Sequence, residues 1–356
     1  MKLPVMPPVA PMLARPAESL PAAEAGDMWF EPKWDGFRAV VFRDGDEVEI
    51  GSRNERPLTR YFPELTGPLR ARLPQRCVLD GELVIAISAG LDFDALSARI
   101  HPAASRIARL SVETPARFVA FDILALGDSD LTGRPFAERR GILAEAAAAF
   151  AAPVHLTPAT TDRYVAAEWF ERFEGAGLDG IIAKPAHDGY LAGQRAQFKV
   201  KHRRTADCVV AGYRLHRSGD GVGSLLLGLH DAEGTLHYVG AASGFTAPKR
   251  GELLEELDPH RVGERAEHPW LTDGAAGRLP GAPSRWRSGD DAWVPLSGAP
   301  VAEVAYDAAL SGRFRHSTRL LRWRSDRSPA SCTYAQLASV PPVELGEIFG
   351  PSPGTD

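Results

Sequence analysis

The sequence predicts an α+β chain in two domains: a larger mixed domain over residues 1–202 and a smaller β-rich domain over 203–342, with 343–356 as a disordered tail. Three observations carry this. The chain has 356 residues, more than one hydrophobic core ordinarily organises. Up to about residue 203, strand-like apolar runs alternate with two helical stretches. Beyond it the texture changes to five short strands and one helix, the make-up of a small OB-type β-barrel.

Residues 1–27 read as an extended, Pro-rich lead. Trp29 to Trp34 is strand-like. Phe37–Phe42 and Glu47–Ile50 form a hairpin joined through Asp44-Gly45. Val78–Ile87 is an apolar run interrupted by Asp80-Gly81-Glu82, and Arg117–Leu126 is another. An Ala-rich helix is expected over 136–150. A second runs from Arg163 to Ala176, with Asp162 as N-cap and Gly177 as stop, and leads into a buried strand, Gly180–Lys184. The barrel strands are Cys208–Leu215, Ser224–His230, Leu236–Gly240, Val301–Tyr306 and Leu320–Arg324. Asp231 to Gly234 supplies a hairpin turn and Pro248–Leu257 the helix. Residues 258–295 are rich in Gly, Pro and Trp without clear periodicity, a stretch long enough to suggest function or mobility. Trp270, Trp286 and Trp293 suit either a cover for a ligand or loop packing. No internal repeat is visible.

Hydrophobic residues make up 44% and charged residues 24%, ordinary for a soluble globular protein. No run approaches the ~18 apolar residues of a membrane span, and the N-terminus has no signal-peptide core. Cys77, Cys208 and Cys332 form no CxxC pair, which argues against a zinc module or a disulfide framework. A cytoplasmic protein without membrane contact is expected. The net charge of −5 excludes a uniformly basic coat but not a local basic face.

Of 41 cationic residues only six are lysine: Lys2, Lys33, Lys184, Lys199, Lys201 and Lys249. Lysine can become a neutral amine nucleophile, whereas arginine stays charged. Lys33 lies between a strand-like segment and a hairpin in Lys33-Trp-Asp-Gly-Phe-Arg38. An amine with a reference pKa near ~10.4 needs help to react at neutral pH, and nearby cations or a metal lower that value. Lys199 and Lys201 put two cations on one strand face, where they would also neutralise a polyphosphate. Taken alone, the motif also suits a surface turn with a solvated lysine.

The accompanying motifs decide the matter. Lys33-Trp-Asp-Gly-Phe-Arg38 resembles motif I of the covalent nucleotidyltransferases: ATP-dependent DNA ligases, RNA ligases and mRNA capping enzymes. Ser52-Arg53-Asn54 resembles the element after the first hairpin of ligases. Asp80-Gly81-Glu82-Leu83 resembles motif III and Phe121-Asp-Ile-Leu124 motif IIIa. Asp179-Gly-Ile-Ile-Ala-Lys184 resembles motif IV, Phe198-Lys-Val-Lys201 motif V and Arg324-Ser-Asp-Arg327 motif VI. All stand in family order from residue 33 to 327. Thr59 to Leu65 and Thr205 to Tyr213 are most similar to DNA ligases, and the whole resembles the small actinobacterial ligase C type, a catalytic core without added DNA-binding domains. Motif IV here opens with Asp179 where the family has Glu, and motif VI ends in Arg327 in place of Lys.

The resemblance implies a two-domain fold, an ATP-grasp-like adenylation (nucleotidyltransferase) domain followed by the OB-fold barrel. It implies an ATP-dependent DNA ligase that seals 3′-OH/5′-phosphate nicks in DNA repair through a lysyl-AMP adduct, with Mg²⁺ or Mn²⁺ as cofactor. Lys33 would be the nucleophile, with Lys199 and Lys201 at the α-phosphate. Glu31 would read the adenine amino group, Phe121 stack on the base, and Arg38 and Glu82 hold the ribose side. Lys184, Arg324, Asp326 and Arg327 would complete nucleotide binding. Asp179 would take the metal and Arg53 the 5′-phosphate. The partner is nicked double-stranded DNA, and a monomer is expected. Residues 313–327 hold six arginines against one acid, so Arg313 and Arg315 are candidates to track DNA phosphates, with Arg203 and Arg204 beside the domain joint. The rivals are an RNA ligase or capping-type transferase and, as a non-enzyme, a nucleic-acid-binding protein with a decayed site.

Overall fold

Alternation of apolar and polar residues sets the layout, because successive side chains on a strand face opposite sides. The computed structural model describes residues 1–22, 26–87, 90–202, 204–262, 268–271, 277–281, 292–298, 300–307, 309–310, 312–337, 345 and 348. In chain order the elements that frame the fold are β1 (Leu13–Ala17), β2 (Met28–Pro32), β3 (Phe37–Asp44), β4 (Glu47–Ser52), α1 (Pro63–Arg72), β5 (Arg76–Ile87), β6 (Ala116–Leu126), α2 (Phe136–Ala146), β7 (Val154–Leu156) and α3 (Arg163–Arg172). They continue with β8 (Ile181–Pro185), β9 (Arg195–Val200), β10 (Arg204–Leu215), β11 (Val222–His230), β12 (Leu236–Ser243), α4 (Ala247–Leu257), β13 (Val301–Tyr306) and β14 (Arg319–Trp323).

Two compact units result. One comprises Met1–Lys201 with Val340–Asp356, the other His202–Ser339. The first unit holds two main sheets. One has the order β1-β9-β8-β2, with β1 parallel to β9. Its inward face buries Phe30, Ile181, Ala183 and Val200 under α3. The other runs β4-β3-β5-β6, with β7 parallel to β6. One face of this sheet packs Val41, Leu79, Phe118 and Ile123 against Leu65 and Leu69 of α1. The opposite face buries Phe42, Val78 and Leu124 against Met12 and Tyr190.

Several expectations need adjustment. Besides the two helices read from the sequence, the first unit forms helices over Pro63–Arg72, Phe93–Ala98 and Ala104–Glu113. The supposed lead contains β1, a strand that its proline confines to a sheet edge. The Ala-rich helix ends as a 3₁₀ turn over Ala147–Ala149. The second helix likewise passes from α3 into a 3₁₀ turn at Phe173–Ala176. Its cap is as expected, with Asp162 accepting from the Tyr164 amide and Gly177 left-handed at φ 84°. The closing residues do not all form a free tail. Leu345 and Ile348 are buried with Trp34, Val84, Val119 and Leu178, because an apolar pair gains by covering that patch. Residues 351–356 lie outside the described set.

The second unit is a sheet in the order β12-β11-β10-β13-β14. It curls until its edges meet, since Thr318, just before β14, bridges Ala242 of β12. This is the five-stranded barrel the sequence predicts, with α4 packed across it through Leu253 and Leu257. Trp270 and Trp293 belong to its packing. Trp270 is 3% exposed, and its indole donates to the Leu236 carbonyl at 2.8 Å. The two rings meet edge-on at 5.8 Å. Both rings thus pack on the barrel; Trp286 lies outside the described residues.

Candidate active site

The face of the β1-β9-β8-β2 sheet opposite its core forms the floor of a cleft of about 220 Å³ in the first unit. Period two makes this inevitable. If Phe30, Ile181, Ala183 and Val200 point into the core, then Glu31, Ile182, Lys184, Gln197 and Lys199 point the other way. Cross-strand register aligns Glu31 with Ile182, and Ile182 with Lys199. The second sheet contributes Arg38, Glu82 and Phe121. Lys33, Lys201 and Arg53 complete one charged end.

Lys33 follows the last residue of β2 and is locked by two backbone bonds. Its amide donates to the Gly180 carbonyl at 2.8 Å, and its carbonyl accepts from the Asp179 amide at 2.9 Å. Gly180 has φ 125°, and a Cβ there would lie 2.0 Å from the Val200 carbonyl oxygen, so only glycine permits this crossing. The pairing brings the side chains together. Lys33 Nζ is 2.7 Å from Asp179 Oδ2, and Lys201 Nζ is 2.6 Å from the same oxygen. Lys33 is 20% exposed at its side chain, so it faces the cleft rather than bulk water. Lys199 completes the cationic cluster. Burial, with Lys201, Lys33 and Arg195 as neighbouring cations, lowers its ammonium below the usual lysine value.

The opposite end is an aromatic wall flanked by charge. Phe121 is 8% exposed. The Arg38 guanidinium lies 4.5 Å and Lys184 Nζ 4.7 Å from the centre of its ring. Lys184 is buried and pairs with Glu31 Oε2 at 2.6 Å while donating to the Phe121 carbonyl at 3.0 Å. Burial pushes the Glu31 carboxyl up and Lys184 down, and their mutual contact opposes both shifts. Burial also pushes the Glu82 carboxyl up to about 7, against the pull of Arg38 and Lys33. Gly36 allows this arrangement, since a Cβ there would lie 2.1 Å from the Leu83 carbonyl oxygen.

Sequence reading missed several contributors. Arg38 stands opposite Glu82 in register, yet its guanidinium grips Asp80, at 2.6 Å from Nε and 2.5 Å from Nη2. Tyr190 donates to the same carboxylate at 2.6 Å. Asp80 offsets the cost of burial and holds Arg38 above its ordinary value. Asp80 lay inside a recognised motif without an assigned task; Tyr190 carried no sequence signal. Trp34 lines the cleft and donates to Thr157 Oγ1 at 2.8 Å. Gln197 and Arg195 also line it, two and four residues before the first lysine of motif V.

The remaining candidates belong to the second unit. Arg324 is engaged by carboxylates on both sides, by Asp207 at 3.1 and 3.2 Å and by Asp326 at 2.8 Å through two donors. Asp326, held down to about 2 by that hydrogen bond, thus orients Arg324 rather than standing alone. Arg327 Nε lies 3.3 Å from Asp207. Arg313 and Arg315 line a separate barrel groove of about 620 Å³ with Arg214, Arg217, His216 and His316, and among the described residues its lining includes no carboxylate. Burial lowers Arg315 to about 10. Arg204 opens β10 opposite Tyr306; Arg203 lies outside the described residues.

A lysine amine at the mouth of a cleft, with further cations at one end and an aromatic wall at the other, is the arrangement of a covalent nucleotidyltransferase. A family model described as "ATP dependent DNA ligase domain" matches residues 11–201, and one described as "ATP dependent DNA ligase C terminal region" matches 218–327. The chain belongs to the ATP-dependent DNA ligase family. It is 54% identical to DNA ligase C of Mycobacterium tuberculosis over 98% of this chain and 99% of that protein. It is 31% identical to the multifunctional non-homologous end joining DNA repair protein LigD of the same organism, over 90% of this chain and 39% of that one. A solved Lig E DNA ligase shares the fold, with a TM-score of 0.55 at 18% identity, over 88% of this chain and 99% of the other. The protein is thus an ATP-dependent DNA ligase.

Proposed function

We propose that the cleft carries out ligation through the residues described. Lys33 Nζ attacks the α-phosphorus of ATP, the bond to the β-phosphate oxygen breaks, and pyrophosphate leaves. The AMP then moves from the amine to the 5′-phosphate of a nick, and the 3′-OH displaces AMP to close the strand. The observation that carries this reading is the joining of Lys33 and Lys201 on one Asp179 oxygen, in a cleft that also holds Lys199, Glu31 and Phe121. Phosphoryl transfer needs mainly positioning and charge neutralisation, and this arrangement supplies both.

Phe121 stacks on the adenine, Glu31 takes its amino group, Lys184 fixes Glu31, and Arg38 and Glu82 face the ribose side. Lys199 and Lys201 neutralise the α-phosphate. Arg53 at the cleft rim meets the 5′-phosphate. Asp179 suits a hard divalent cation, Mg²⁺ or Mn²⁺, because both ammonium groups sit on Oδ2, and such ions are commonly held by one or two carboxylates together with phosphate oxygens. The cation would supply charge neutralisation at the phosphates. Arg324 and Arg327 take the β- and γ-phosphates in the first step, with Asp326 aligning Arg324. Arg204 and the arginines of the barrel groove track the backbone of the nicked duplex. A role in DNA repair by a cytoplasmic monomer rests on the likeness to the repair ligase and on the chain's composition.

Incubation with α-labelled ATP and Mg²⁺ tests the reading. Wild type should acquire an acid-labile label and Lys33→Ala should acquire none. A label that persists on Lys33→Ala would overturn the assignment. Parallel sealing of nicked DNA and of nicked RNA checks the substrate; preference for RNA would move the protein to the RNA-joining branch.

A further inference from the structure

Two buried polar atoms in the cleft have no hydrogen-bond partner among the described residues: Glu31 Oε1 and Gln197 Nε2. The two residues are 2% and 3% exposed, and both line the same cavity. Buried polar groups are nearly always satisfied, so an orphan pair in one cavity points to a ligand that completes them. Gln197 lies on β9 two residues before Lys199, hence on the same sheet face, and pairs in register with Ala14 of β1. Glu31 stands two strands away on β2. Strand spacing of ~4.8 Å and a two-residue offset put their backbones on the order of 12 Å apart, room for a purine between the two side chains.

The chemistry of the two groups is complementary to adenine. The base offers one donor, the 6-amino group, and acceptors at N1, N3 and N7. Glu31 Oε1 only accepts when ionised, so it suits the amino group. An amide N–H of Gln197 donates, which N1, N3 or N7 of adenine can receive. We propose that Gln197 is a base-reading residue, its Nε2 donating to a ring nitrogen of adenine and fixing the base on the wall opposite Glu31. The proposal rests on the reading of the cleft as a nucleotide site, and it assigns a task to a side chain outside every recognised motif.

The test uses the full chain in self-adenylylation with ATP and with 1-deaza-, 3-deaza- and 7-deaza-ATP, comparing wild type with Gln197→Leu. The variant should need about tenfold or more ATP for half-maximal labelling, at a nearly unchanged maximal rate. Wild type should lose a similar factor with one of the three analogues, and the variant should not distinguish that analogue from ATP. Without nucleotide the variant should melt no lower than wild type, because it removes an unsatisfied amide nitrogen. An unchanged half-saturation, losses additive with all three analogues, or a lowered melting temperature would each overturn the proposal. Wild-type labelling by ATP is the internal control. Its absence would sink the nucleotide reading itself, an outcome separate from failure of the Gln197 coupling.

Discussion

Asp179 is the residue on which the charges of the cleft turn. One of its oxygens holds the ammonium groups of both Lys33 and Lys201, so Asp179→Asn leaves the two cations facing each other. Charge-assisted hydrogen bonds are worth about 1.5–3 kcal/mol, so adenylylation should fall roughly 10- to 100-fold, read as the initial rate of label transfer. Asp179→Glu should retain more activity than the amide. Glu82 gives a pH signature. Its carboxyl sits at about 7 in the folded protein, above the ordinary 4.5. Between those values the folded state binds more protons than the unfolded state, so stability falls as pH rises through that window. Glu82→Gln should therefore melt above wild type at pH 8, by on the order of 2 kcal/mol after allowance for partial exposure. The gap should close toward pH 5 in melts without nucleotide.

At the level of elements, two-residue alternation on β9 made one part of the cleft legible in advance. Lys199 and Lys201 had to share a face with each other. The Ile181-Ile182 pair read as a buried strand, yet only Ile181, with Ala183, faces the core, and Ile182 and Lys184 line the cleft. What the pattern could not reveal was the partner of Arg38. Asp80 and Glu82 lie on the same face of β5, two residues apart, and register favours Glu82. The choice of Asp80 depends on Tyr190 and on the Met12 carbonyl, which accepts from Arg38 Nη2 at 3.1 Å. Those groups come from segments distant in sequence and carry no local signature. The helices behaved similarly: caps were readable at Asp162 and Gly177, whereas the slide into 3₁₀ turns follows from packing. Gly180 joins β8 to Lys33, and its substitution tests the element. Gly180→Ala should cost more than about 2 kcal/mol, from both positive φ and the clash with the Val200 carbonyl. Thermal melting would show it, together with loss of labelling, because Lys33 hangs on the Gly180 carbonyl.

Taken whole, the protein carries an acidic net charge of −5 and confines its positive potential to particular surfaces. The barrel groove gathers four arginines, so Arg313→Ala with Arg315→Ala should weaken binding to nicked duplex and flatten its salt dependence. Each arginine–phosphate pairing removed should reduce the log–log slope by about 0.9, measured by titrating binding from low to moderate salt. The closing segment also belongs to the first unit through Leu345 and Ile348. Leu345→Asp should lower melting stability by about 2–4 kcal/mol, through lost burial and a stranded charge. The uneven use of lysine has a practical consequence. Four of the six lysine amines line one cavity; the other two are Lys2 and Lys249, and Lys184 is too buried to react readily. An acylating reagent followed by mass mapping therefore reports occupancy of the cleft almost directly. Lys33, Lys199 and Lys201 should be shielded by bound nucleotide, while Lys2 and Lys249 serve as built-in reference tags.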